Sequence, residues 1–96
     1  MTDTRTFLDD DAAYLAWRDA HPSGFIINHD RSPSRAYIKL HRTLCQSLCG
    51  DPPTGPGSSW TTAYGKTCAE SIADLTEWAK QRTGADPDPC GLCEPL

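Results

Sequence analysis

A chain of 96 residues, 38% hydrophobic and 23% charged, is the size of one domain with one modest core, and it has too many apolar residues for a disordered segment. No apolar run approaches the ~18 residues of a membrane span, and the acidic, polar start MTDTRTFLDDDAAY is unlike a secretory leader. A reducing cytoplasm is therefore the expected setting, where five cysteines are metal ligands or thiols rather than a disulfide frame, and a net charge of −4 excludes a simple basic nucleic-acid glue.

The first predicted element is a helix in FLDDDAAYLAWRDAHPSG. Asp9 or Asp10 can cap its amides, and three successive acids suit the positive end of the helix dipole. Leu8, Ala12, Leu15 and Ala16 form an apolar stripe at helical spacing, with Tyr14 and Trp17 nearby. Pro22 and Gly24 stop the helix. GFIINHD then reads as a strand, RSPSR as a turn, and AYIKLH as a second strand antiparallel to the first. RTLCQSLC has the spacing of one or two helical turns. GDPPTGPGSS is a loop, and WTTAYGKTC is a third strand. SIADLTEWAKQRTG is the clearest helix. Ser71 and Asp74 make a variant capping box, Ile72, Leu75, Trp78 and Ala79 form the buried stripe, and Gly84 is the stop. ADPDPCGLCEPL reads as an irregular tail. The expected architecture is a single α+β domain over residues 1–96: a small antiparallel three-stranded sheet, two helices packed on one side of it, and a Cys-x-x-Cys tail that binds zinc.

The cysteines carry the chemistry. Structural zinc takes four N or S donors, usually as two close pairs from two loops. Cys90 and Cys93, in PCGLC, make one pair, with Pro89 fixing the entry and Gly91 easing the turn. Two candidates stand for the other pair, His41 with Cys45 and Cys45 with Cys49, each with three intervening residues, and Cys68 is a spare thiol. Spacing does not decide between them. In the plainer reading Cys49 and Cys68 are small buried apolar residues. Four protein ligands would leave zinc no open position, so the chain is not expected to be an enzyme.

The order LHRTLCQSL, CAESIADLTEWA and PCGLC resembles the metal-binding domain of the Ada DNA-repair family and its Ada-like relatives, over roughly residues 36–93. The resemblance implies His41, Cys45, Cys90 and Cys93 as zinc ligands. It also exposes two departures. In the repair proteins a zinc-bound cysteine at the position of His41 accepts a methyl group from a DNA phosphate, and imidazole lacks that thiolate nucleophilicity. The helix-turn-helix extension with which those proteins hold DNA has no counterpart in these 96 residues. Similar hairpin-bearing modules stand beside nuclease or restriction domains, which makes a larger protein of that kind an expected partner.

Charge is unevenly distributed. Arg31, Arg35, Lys39, Arg42 and Lys66 fall in residues 30–66 against only two acids, whereas both flanking segments are acidic. The expected function is a zinc-stabilised module that binds DNA or RNA. The five cations would contact phosphates, with Trp60 or Tyr37 available to stack on a base. The alternative is a protein-interaction or regulatory module with a purely structural zinc, in which the cations are solvated, Trp60 fills the core and Tyr37 packs across strands. Convergence of the cations on one face would favour the first reading, and their dispersal the second.

Overall fold

In a computed structural model of the chain, residues 4–45 and 59–91 are described. The sheet is organised around one strand, β2 (Phe25–Asp30), which is antiparallel to both of its neighbours. On one side lies β3 (Ile38–Arg42), as the hairpin reading expects. On the other lies β4 (Tyr64–Ala69). Two short strands complete it, β1 (Arg5–Phe7) against β4 and β5 (Asp88–Pro89) against β3. The spatial order is β1-β4-β2-β3-β5. The sheet thus has five strands, and the β3–β5 pair is parallel, where three antiparallel strands were expected. The third strand starts at Tyr64; Trp60–Ala63 bend into it instead of belonging to it.

The helices are α1 (Asp11–Ala20) and α2 (Ile72–Thr83), and they cover opposite faces of the sheet rather than one. Neighbouring residues of β2 show why. Ile26 is packed with Tyr14 and Trp17 of α1, whereas Ile27 is packed with Leu75, Trp78 and Ala79 of α2, and both isoleucines are fully buried. Side chains alternate along a strand, so a strand buried on both faces reads as a continuous run rather than an alternating one. In α1 the deep contacts come from the two aromatics. Ala12 and Ala16 are exposed, Leu15 is half-buried and Leu8 is 39% exposed, so the predicted aliphatic stripe is not the packed one. Large rings bury more area than alanines and set the helix rotation.

Each of the three consecutive acids before and in α1 has a different task. Asp9, at φ 52°, carries an ion pair to Arg31. Asp10 is the N-cap, accepting from Ala13 N. Asp11 accepts hydrogen bonds from Ser59 Oγ, Trp60 N, Thr61 N and Thr61 Oγ1, at 2.6–2.9 Å. Those bonds tie residues 59–61 to the start of α1. Helix α2 follows the sequence closely: Ser71 caps it by accepting from Asp74 N, and Gly84 ends it at φ 77° with its N–H on Lys80 O.

His29 lies on the α2 face, fully buried beside Trp78. Its Nδ1 is 2.7 Å from Asp30 O, which can only accept, so Nδ1 carries the proton and Nε2 accepts from Thr67 Oγ1. Burial above all depresses its pKa, with the charges of Lys66 and Arg82 in the same direction. It is a satisfied core histidine. No helix among the described residues is long and apolar enough to cross a membrane.

Gly65 lies opposite His29 in the β2–β4 register, and a Cβ there would stand 2.5 Å from His29 Cε1 and 3.0 Å from Nδ1. Gly65→Ala is therefore expected to destabilise the fold by about 1–3 kcal/mol, because the imidazole is pinned at both nitrogens and cannot step aside. Denaturant unfolding checks this, and an unchanged midpoint would show that the ring can move.

Candidate metal centre and the cavity beside it

Three elements bring the candidate metal-binding side chains together. His41 is the fourth residue of β3 and faces Ile26, which puts its ring on the α1 face. After β3 the chain turns: Thr43 N donates to Gly24 O, and Cys45 N donates to Arg42 O. This turn returns Cys45 to the α1-side core, where it is 2% exposed. Cys90 arrives from β5, held where its N–H donates to Leu40 O at 2.8 Å. The expected helical turns of RTLCQSLC begin at this bend, and their continuation lies outside the described residues, as do Cys49 and Cys93.

His41, Cys45 and Cys90 are all buried, and one donor atom from each lies within 4.8 Å of the others, so the group could hold a metal ion. The sulfurs of Cys45 and Cys90 are 3.9 Å apart. Two thiolates at Zn–S of about 2.3 Å in a tetrahedron stand about 3.8 Å apart, so the spacing fits. Burial, followed by the charges of Lys66 and Lys39, lowers the His41 pKa to about 4, leaving a neutral imidazole able to offer a lone pair. Cys68 is outside the group. It faces Ile26 from the β4 side, so β2 separates it from His41 by about 10 Å across two strand spacings. It is fully buried, and burial pushes its thiol pKa far up. This is the inert buried sulfur of the plainer reading.

The cations named for nucleic-acid contact do not form one patch. Arg31 binds both carboxylate oxygens of Asp9, at 2.9 and 2.6 Å, and also the carbonyl of Thr62. Arg35 donates to Gly84 O at the end of α2. Lys39 lies on the α1 face, 3.8 Å from Asp88. Arg42 is exposed and in register with Phe25, on the α2 side. Lys66 and Trp60 are inside, 3% and 6% exposed.

Lys66, Trp60 and Tyr37 nevertheless meet. Together with Asn28 and Tyr64 they line a cavity of about 310 Å3 on the α1 side. Lys66 Nζ donates to Asn28 Oδ1 at 2.6 Å and to Trp60 O at 2.7 Å, and Asn28 Nδ2 donates to the Tyr37 hydroxyl at 2.9 Å. The Trp60 carbonyl is where it is because Asp11 holds residues 59–61. Burial raises the Asp11 pKa, but the hydrogen bonds from Thr61, Trp60 and Ser59 outweigh it and keep the carboxylate ionised. Asp11, Asn28 and Tyr64 escape a reading of sequence, because no spacing links positions so far apart in the chain.

Burial lowers the Lys66 pKa from 10.5 to about 8, against the opposing pull of Cys68 and Asp11. The unfolded chain therefore binds more protons than the folded one between pH 8 and 10.5, and stability rises with pH across that window. Below pH 8 the charged amine costs the fold roughly 3 kcal/mol. Lys66→Met is expected to abolish the rise between pH 8 and 10.5 in chemical denaturation. An identical rise in the variant would place the titration elsewhere.

No family model, no curated protein and no solved structure matches this chain, so the chemistry of its residues carries the functional reading.

Proposed function

We propose that this chain is a zinc-stabilised α+β module that binds nucleic acid, with His41, Cys45, Cys90 and Cys93 as the ligands of a structural zinc. The observation that carries the metal reading is the buried convergence of His41, Cys45 and Cys90 from a strand, the turn after it and a separate edge strand. An N/S donor set of this kind suits zinc better than hard cations such as magnesium or calcium. Cys93, three residues beyond Cys90, completes a four-coordinate site in the Ada-like frame and leaves no position open for substrate or water. The metal's role is then to supply folding free energy by tying the tail to the β3 end.

Nucleic-acid binding is supported by the gathering of Lys66, Trp60 and Tyr37 at one cavity, which joins a positive charge to aromatic surface. The competing reading, a protein-interaction module with a purely structural zinc, draws its support from the dispersed cations: Arg31 and Lys39 are matched by Asp9 and Asp88, and the net charge is −4.

Purified protein is expected to carry one zinc per chain. Chelation or His41→Ala should lower the melting temperature by at least roughly 10 °C or abolish cooperative melting. A metal-free protein whose melting is indifferent to chelator would refute the metal reading. Anisotropy titrations with single-stranded and duplex DNA should show binding at low salt that weakens as salt rises. No binding to either at low salt would transfer the assignment to the protein-interaction reading.

A further inference from the structure

We infer that the cavity between Lys66, Asn28 and Tyr37 receives a single unstacked guanine base; this rests on the nucleic-acid reading above. The cavity holds about 310 Å3, at the lower end of ligand pockets, which run from roughly 300 to 1,000 Å3, and so admits one ring system rather than a long chain. Its aromatic surface comes from the half-buried Tyr37 and from Tyr64, 41% exposed, whose rings pack at 5.4 Å and 57°.

Counting donors identifies the edge that would be read. An ammonium has three N–H groups, and two of Lys66's are used by Asn28 Oδ1 and Trp60 O. Because Lys66 can only donate, the Asn28 oxygen is fixed toward it and the amide nitrogen toward Tyr37. The Tyr37 oxygen therefore accepts from Asn28, and its own proton remains to be given. Among the described residues neither that proton nor the third ammonium proton makes a further hydrogen bond, although the Tyr14 ring lies 6.0 Å from Nζ. Both donors are bonded to the same Asn28 amide, one at its oxygen and one at its nitrogen, and both residues line the cavity. Two neighbouring donors suit two neighbouring acceptors, O6 and N7 on guanine or N3 and O2 on cytosine, and of these the two-ring guanine covers more of the aromatic wall; adenine offers N7 beside a donor and clashes. A phosphate fits less well. Both oxygens already on Lys66 are neutral, leaving one N–H and one O–H for a dianion that would surrender its hydration inside an aromatic-walled cavity.

The test uses the zinc-loaded full chain. GMP, AMP, CMP and UMP are titrated by calorimetry, alongside short oligothymidylates with and without one central guanine. Tyr64→Ala and Tyr37→Phe, each checked for unaltered zinc content and melting, should weaken guanine binding about tenfold and roughly fivefold, and Lys66→Met should remove the preference for guanine. GMP and the guanine-bearing strand binding best, with these losses, supports the inference. Strand binding that is unchanged in all three variants overturns the pocket while leaving the nucleic-acid reading intact. GMP bound with these losses, and no strand bound, keeps the pocket as a nucleotide site and removes the nucleic-acid reading. Adenine, cytosine or uracil preferred over guanine overturns the guanine assignment, and no binding of any nucleotide or strand overturns both.

Discussion

The pairing of β5 with β3 is the joint on which the candidate metal site depends. It spans only Lys39↔Asp88 and Leu40↔Pro89, with one further bond from Cys90 N to Leu40 O. Net hydrogen-bond contributions of about 1 kcal/mol each, and an ion pair whose Asp88 side is largely exposed, do not hold a chain end firmly. The register nevertheless sets Cys90 next to Cys45 and His41, on the face where α1 packs. A metal held by these three side chains and a fourth would bond the tail to the β3 end far more strongly than the ladder does. Metal, edge strand and turn are thus mutually dependent in this account. A chain of 96 residues has a limited core, which such a staple would supplement.

The rest of the α1 face is arranged around a buried charge. Lys66 stands on the α1 face within a layer of Phe7, Tyr14, Ile26 and Cys68, where an alkyl side chain would pack at less cost. Its amine has neutral acceptors, Asn28 and the Trp60 carbonyl, and the second is maintained by four hydrogen bonds to Asp11. Keeping a cation inside, at an energetic cost, beside an aromatic cavity is the feature of this chain that core packing alone does not explain.

Much of the fold is legible in the sequence because local signals are strong. Ser71 and Gly84 mark α2 at both ends, and the alternation around Ile38 and Leu40 marks β3. What sequence does not disclose is set by partners. Arg5–Phe7 and Asp88–Pro89 are too short to show a period, and they are strands only because β4 and β3 offer open edges. FII is the kind of run that a strand buried on both faces shows, but a short apolar run does not announce which helix covers which face, and the equally buried Gly65–Ala69 carries no such run. His41, Cys45 and Cys90, the group that could hold a metal ion, were legible as candidates from spacing, and the choice of His41 over Cys49 came only from the Ada-like resemblance. Lys66 was legible only as a charge. That it points inward follows from its register opposite Asn28, which no local pattern encodes.

X-ray absorption at the zinc edge of the purified chain tests the central claim most directly. Bound zinc with three sulfurs at about 2.3 Å and one imidazole nitrogen at about 2.0 Å is the expected result. A chain without zinc, or zinc bound by oxygen and nitrogen donors alone, would contradict it.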